Sequence, residues 1–386
     1  MKPETHPLLD VAKQFSSEVL RPNAAKFDAE NGVPDSVLRD MCRQGLVGAV
    51  LPEEYGGGGV DALTWGRITE EIGVGCANTR ALLTVHSSLV GETIARLGTP
   101  EQKKHWLPQL ASGDRLAAFA LSEKDAGSDA GAIATRFEDK GDHYVLNGKK
   151  KWITYGAIAD LLLVFAASED GSSCSFLVER ERKGVSSTAM TGLFASRGAH
   201  VGEISFDNVQ VPKENLFGRP GMGFTFVANQ ALFYGRFSIA WAGVAIARAA
   251  LEEMVTWSRS RKQFDKKIAQ HQLLQAMIAD AVTAVHAGRA LCEKISHLKQ
   301  NNDDSAVTET NIAKLFTSRI ANEVANNAVQ IFGGNGLWQA YPAERLYREA
   351  RVLEVIEGTT QIQQMMIANY GLRQYFKTSL KKLYPE

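Results

Sequence analysis

One carboxylate in this 386-residue chain stands where it would suit a base. In Val355-Ile356-Glu357-Gly358-Thr359-Thr360-Gln361 the acid follows an apolar pair and precedes a glycine that frees the backbone. Apolar surroundings raise a carboxyl pKa towards neutrality, where the group can take a proton from a substrate. A second cluster, Trp152-Ile153-Thr154, is expected to set a flat indole and a hydroxyl donor on one face of a strand, two residues apart. A third runs from Phe119 through Leu121, Ser122, Gly127 and Ser128 to Asp129. There, small residues and hydroxyls follow an apolar strand and supply N–H and O–H donors for an anionic or heteroaromatic ligand.

Other chemistries lack their residues. There is no G-x-S-x-G, no H-E-x-x-H and no G-x-G-x-x-G after a strand, which removes the main supports for esterase, zincin and nicotinamide readings. Cys42, Cys76, Cys174 and Cys292 are scattered singly, so zinc, iron–sulfur and disulfide frameworks are not expected and no metal is assigned. Lys plus Arg number 43 and Asp plus Glu 43, which leaves no net basic footprint for nucleic acid or an anionic membrane. No apolar run approaches the ~20 residues of a membrane span, and the start, Met1 to His6, leads into an amphipathic segment. A cytoplasmic protein is expected.

The elements that must position these clusters change twice along the chain. Apolar residues recur at helical spacing from Leu8 to about Leu110, interrupted at Pro52 to Gly59, where four successive glycines predict a loop. From about Leu116 to Val211 the pattern is β-like. His143 to Leu146, a turn at Asn147-Gly148 and Lys149 to Thr154 read as a hairpin, with Lys149-Lys150-Lys151 as its solvated face. Leu161–Phe165, Cys174–Val178 and Gly202–Phe206 are further strands of a mainly antiparallel sheet or barrel. Helical period returns after Gly223 in long stretches that imply a bundle. The expected class is α+β, with a helical domain at 1–115, a β domain at 116–218 and a helical bundle at 219–386.

With this α, β, α order, the motifs resemble the acyl-CoA dehydrogenase family along nearly the whole chain. The matches are Leu51-Pro52-Glu53-Glu54-Tyr55-Gly56-Gly57, Leu121-Ser122-Glu123 with Ala126-Gly127-Ser128-Asp129, and Asn147-Gly148-Lys149 with Trp152-Ile153-Thr154. They continue with Arg261-Lys262-Gln263-Phe264, His271-Gln272, Gln330-Ile331-Phe332-Gly333-Gly334 and Glu357-Gly358-Thr359. The resemblance implies FAD, an acyl thioester substrate, a homodimer or homotetramer, and an electron-transfer flavoprotein as one candidate acceptor. It implies that Trp152, Ile153 and Thr154 lie along the flavin ring while Phe119, Leu121, Ser122, Gly127 and Ser128 close over ring and pyrophosphate, Ser128 also meeting substrate. Arg261, Gln263 and Phe264, with His271, Gln272, Gln330, Ile331, Gly333 and Gly334, would reach the FAD of a neighbouring subunit, with Thr359 and Gln361 also at the cofactor. Glu357 would take the α-proton as hydride leaves the β-carbon for the flavin, the enolate oxygen meeting the Glu357 backbone N–H and a ribityl hydroxyl. Phe233, Tyr234, Arg236 and Gly358 would contact the substrate.

Two positions depart from the pattern of acyl-CoA members. Phe233 stands where an Asp is common, three residues before Arg236, and Ile356 where a Tyr commonly precedes the base. With Tyr234-Gly235-Arg236, Ser238 and Ala240-Trp241, these positions resemble the subgroup acting on acyl groups tethered to an acyl carrier protein, which makes hydroxymalonyl or aminomalonyl extender units for polyketides and nonribosomal peptides. A short-chain acyl-CoA dehydrogenase is the alternative, and a flavin oxidase or a non-catalytic binding relative lies further off. Glu354, one turn before Glu357, is expected to pair with Arg351.

Overall fold

Trp241 and Gly66 explain how two distant stretches of chain meet. A Cβ on Gly66 would collide with the Trp241 indole, so the helix Ala62–Gly75 takes this ring only because residue 66 is glycine. Trp241 belongs to Asn229–Ser260, the longest helix of the computed structural model, which describes residues 6–376. The expectation at Met1–Thr5 and the end of the 219–386 domain, residues 377–386, lie outside the described residues. The same helix carries Gly243 against the Thr317 backbone of Ala306–Phe332, and alanines line this crossing, among them Ala240, Ala247, Ala313 and Ala321. Small side chains let the two axes approach closely. Gln272–Gln300 and Thr360–Gln374 complete the bundle, and Pro342–Val352 precedes the segment that bears Glu357.

The N-terminal helices do not form a core of their own. Phe15, Leu38, Trp65 and Leu83 share one buried cluster with Phe237, Trp241 and Val244, and with Cys292 and Ile295. Arg348 of the 342–352 helix donates to both oxygens of Asp28, at 3.1 and 2.7 Å, from 320 residues away. Pro52–Gly59 is a loop with a short 3-10 turn at Glu53–Tyr55, where Gly57 lies against the Leu51 carbonyl. Among the described residues no helix is long and apolar enough to cross a membrane.

Between the helical regions lies a mixed, mainly antiparallel sheet. Its strands are β1 (Ala117–Ala120), β2 (Arg136–Asp139), β3 (His143–Ile153), β4 (Leu161–Ala167), β5 (Ser173–Glu179), β6 (Val185–Ala189), β7 (Gly202–Pro212) and β8 (Leu216–Phe217). The order is β6-β7-β3-β2-β4-β5-β8, with β1 parallel to β4. Every residue of β4 is buried, which accounts for its unbroken apolar run.

Two expectations fail in β3. Asn147-Gly148 is no hairpin turn: the strand runs straight through it, paired with β7, whose Asp207 and Asn208 face Asn147 alone and so form a bulge opposite it. Gly148 takes φ 150°, and a Cβ there would press on Thr135. In the bulged strand Asn208 takes φ 49°. Nor is Lys149-Lys150-Lys151 a solvated face, because alternation turns Lys150 inward, where it is fully buried.

Candidate active site

A cavity of ≈ 580 Å³ opens where the 229–260 helix, the end of β3, the loop after β1 and the Glu357 turn converge. Phe119, Leu121, Ser122, Gly127, Ser128, Trp152, Ile153, Thr154, Arg236, Glu357, Gly358 and Thr359 all line it. Residues separated by more than 200 positions are thus gathered in one space.

Glu357 sits on a turn with two successive left-handed residues, Glu357 at φ 57° and Gly358 at φ 88°. A non-glycine held there is strained, and the surroundings hold it. The Glu357 carbonyl accepts from Arg236 Nε at 3.0 Å and Gln363 Nε2 at 3.1 Å, and the Gly358 carbonyl accepts from Lys314 Nζ at 2.8 Å. Thr359 then caps the 360–374 helix by accepting from Ile362 N at 3.3 Å. The cations therefore bind the turn's backbone, while the carboxylate Oε2 is buried without a hydrogen-bond partner. Burial pushes the carboxyl up to about 7 against the opposing pull of Arg236, Lys314 and Arg80. Gly235 backs it directly, since a Cβ at 235 would strike Oε2. Glu354 is ion-paired with Arg351 and points to other work, as its sequence context suggested.

Trp152 reaches the cavity by a different route from the one strand alternation supplies. Its φ is 64° and the β3–β7 register shifts between Lys150 and Ile153, so the backbone kink aims Trp152, Ile153 and Thr154 at the same space. Thr154 lies beyond the strand end. The indole is 53% exposed, a large flat apolar face bared to the cavity. The loop after β1 is fastened to β3 from beneath. Lys150 Nζ donates to Glu123 Oε1 at 2.7 Å and to the Leu121 carbonyl at 3.0 Å, and Lys151 N donates to the Ser122 carbonyl at 2.9 Å. Glu123 also accepts from Thr135 Oγ1 at 2.6 Å and from the backbone at Ala134 and Thr135. Its carboxyl is thereby held below the usual range although burial opposes this.

The other expected cofactor residues lie elsewhere. Arg261, Gln263 and Phe264 are exposed on a small ribbon in which Lys262–Gln263 pairs with Lys266–Lys267, Phe264 being 87% exposed. His271 faces this ribbon, its Nε2 3.3 Å from the Gln263 carbonyl and its ring 5.9 Å from that of Phe264. Gln272, Gln330, Gly333, Gly334 and Gln361 are exposed and Ile331 is buried in the bundle core; none of them lines the cavity. Phe233 and Tyr234, taken from the sequence as substrate contacts beside Arg236, line a separate pocket of ≈ 400 Å³ with Glu92, Arg96 and Lys299. The cavity takes the helix face of Asn229, Leu232, Arg236 and Ile239; Tyr234, two residues from Arg236, lies on the far side, and Phe233 joins it in the separate pocket.

Arg80 and Thr84, both buried, and Glu349, whose carboxyl burial pushes up to about 7, escaped the sequence reading. Arg80 and Glu349 line the cavity, and so does Thr84. Arg80 left one signal: it is the sole Asp, Glu, Lys or Arg between Glu71 and Glu92.

An exposed indole, hydroxyl donors at Ser122, Ser128 and Thr154, and a buried carboxylate with a free oxygen fit a planar heteroaromatic group on one side and a carbon acid on the other. Family models for the N-terminal, middle and C-terminal domains of acyl-CoA dehydrogenase match residues 2–114, 118–209 and 221–372. The chain belongs to the acyl-CoA dehydrogenase family. As a member, it is an FAD oxidoreductase that dehydrogenates acyl thioesters. It is 37% identical over 378 residues to the mitochondrial short-chain specific acyl-CoA dehydrogenase of Homo sapiens, covering 97% of this chain and 91% of the relative. Among solved structures it is similar to FkbI, described as serving biosynthesis of the methoxymalonyl extender unit of the polyketide immunosuppressant Fk520. That likeness has a TM-score of 0.87 and 32% identity, over 95% of this chain and 99% of the other. The prolyl acyl carrier protein oxidase AnaB superimposes with TM-score 0.90 at 28% identity, over 96% and 99% of the two chains. A glutaryl-CoA dehydrogenase from Mycobacterium smegmatis in complex with FADH2 does so with TM-score 0.89 at 27% identity, over 96% and 95%. In this family member the donors and the indole around the cavity suit the cofactor's flavin ring.

Proposed function

We propose that this dehydrogenase acts on a small acyl group tethered to an acyl carrier protein, in a route that makes units of the hydroxymalonyl or aminomalonyl type. Glu357 is the base: its unpartnered Oε2 takes the α-proton of the thioester, and its backbone N–H meets the thioester oxygen. FAD, when bound, supplies the hydride acceptor. Trp152 and Thr154 orient the flavin ring, and the loop from Leu121 to Ser128, held by the Lys150–Glu123 pair, covers it. Arg261 and Gln263, exposed on their ribbon, serve the cofactor of a second copy in a dimer or tetramer.

The observation that favours a carrier protein is the turn of helix behind Glu357. Acyl-CoA members commonly hold an acid there, whereas here Phe233 packs at 5.4 Å on Tyr234 and turns into another pocket, leaving no carboxylate on residues 233–235. The likeness to FkbI and AnaB supports the same reading. A second reading, a short-chain acyl-CoA dehydrogenase, is favoured by the 37% identity to the human enzyme.

Anaerobic bleaching of the flavin with one acyl group offered on CoA and on a carrier protein separates the two. The carrier-linked form is expected to bleach at least tenfold more efficiently, and parity or the reverse order selects the CoA reading. Glu357→Gln should keep the yellow cofactor and lose bleaching. Arg261→Ala should lose FAD and weaken assembly.

A further inference from the structure

Dehydrogenation of a thioester at two adjacent carbons sets free two electrons and two protons. Glu357, as the base, takes the α-proton, and the hydride carries both electrons with the second proton to the flavin. When the electrons pass to an acceptor, that second proton must leave the cavity. Among the described residues three carboxyls line this space, those of Glu123, Glu349 and Glu357. Glu123 is bound to Lys150 at 2.7 Å and its carboxyl is held below the usual range, so it is not free to take a proton. Glu357 already holds one. The carboxyl without a task is Glu349.

Three segments of the chain meet at Glu349, which is 5% exposed. It stands on the helix Pro342–Val352, and its Oε1 accepts from Ser196 N at 3.0 Å, between β6 and β7, and from Asn78 Nδ2 at 3.3 Å, on the helix Ala77–Leu82. Its Oε2 accepts from none of the described residues and, unlike Asn78 Oδ1, is not sealed off. Glu349 also lines a second cavity of ≈ 30 Å³, room for one water molecule, bounded by Arg21, Cys76, Glu253 and Arg345. Among the described residues, Ala77 and Glu349 alone line both spaces, so the carboxyl is the one polar side chain common to their walls.

Burial raises this carboxyl to about 7; the Ser196 N–H, Arg348 and Asn78 oppose the rise and Asp28 adds to it. Arg197 bears on it through Asp28, from 3.8 Å, and the neighbouring Cys76 thiol is itself raised by burial. A group poised near neutrality takes up and gives back a proton at little cost.

We propose that Glu349 carries the hydride-derived proton out of the flavin cavity into the small cavity beyond it. The step balances: the cofactor loses two electrons to two equivalents of a one-electron acceptor and one proton to Glu349 Oε2. Oε2 then releases that proton to water in the small cavity, beside Glu253, whose side chain is 22% exposed. The inference rests on the flavin chemistry of the family and is independent of whether CoA or a carrier protein holds the thioester.

Reoxidation of the FAD-loaded enzyme tests it without any substrate. The flavin is reduced with one equivalent of dithionite and mixed with ferricenium ion, a one-electron acceptor that takes no proton, from pH 5.5 to 8.5. In unmodified enzyme the rate should climb about tenfold per pH unit below 7, where the carboxylate form is scarce, and level off above it. Glu349→Gln should reoxidise about 100-fold more slowly on the plateau and lose this profile, with the parent's FAD content and visible spectrum. Glu349→Asp should regain the profile, and Glu357→Gln should keep it, which assigns the titration to the second carboxyl and not to the base. If Glu349→Gln fails to fold, the unmodified profile and the Glu349→Asp and Glu357→Gln variants decide. Reoxidation independent of pH in unmodified enzyme, equal rates in Glu349→Gln, or loss of the profile in Glu357→Gln overturns the proton carrier and leaves the acyl-thioester reading standing. Failure of every thioester to bleach the flavin overturns that reading alone.

Discussion

At the scale of single residues, the site depends on separating a side chain from its own backbone. Arg236, Gln363 and Lys314 hold the carbonyls at 357 and 358, so two cations and an amide steady the turn without hydrogen-bonding to the free carboxylate oxygen. Burial raises the carboxyl of Glu357 to about 7, which sets two expectations with definite signs. Flavin bleaching needs the ionised form, so its rate should climb about tenfold per pH unit below 7 and level off above it. The stability expectation runs the other way. A folded pKa above the unfolded one favours the protonated native state; the advantage is full below about 4.5 and is lost as pH rises through 7. Glu357→Gln should therefore be more stable than the parent above pH 7, by no more than about 3 kcal/mol, and equal to it near pH 4. Urea unfolding at both pH values checks this.

At the scale of elements, the sequence announced which segments meet better than how they are aimed. Glu357 and its glycine were legible as a carboxylate in apolar surroundings on a freed backbone, and the buried turn at 357–358 has that character. The aim of Trp152 was not. Period-two alternation predicts the face of a residue in a regular strand, and β3 is irregular at two places that only its pairing with β7 exposes. Lys150 was hidden for the same reason, since three lysines in a row look solvated until the middle one finds Glu123. Removing one partner of a buried pair leaves the other charged and unpaired, so Lys150→Met should cost about 3–5 kcal/mol. Lys150→Met with Glu123→Leu should cost less than the sum of the single changes, as a double-mutant cycle in urea would record. Gly235→Ala tests another element. Its Cβ would displace the base and press on Leu89, so bleaching should fall at least 100-fold while FAD content is kept.

At the scale of the whole molecule, the three-part α, β, α order was readable from periodicity, but the sharing of one core between the first and last parts was not. Nothing local marks Asp28 as the partner of Arg348, or Gly66 as the seat for Trp241, because sequence separation hides such pairs. Asp28 is buried and also lies near Arg197, whose Nη1 is 3.8 Å from it. Asp28→Asn should therefore lower global stability by about 3 kcal/mol in urea unfolding, with near-normal flavin spectra, since the pair stands apart from Glu357.

The shared core also orders events during synthesis. The helices ending near Ser112 leave the ribosome long before the 229–260 helix, which supplies Phe237 and Trp241 to their interior. At ~5–20 residues per second, Trp65 waits on the order of ten to thirty seconds for the ring that covers it. During that interval its apolar surface is open to chaperones and to neighbouring nascent chains. Completion comes only when Arg348 and the Glu357 turn arrive, so the chain acquires the buried carboxylate of its cavity among the last of its parts.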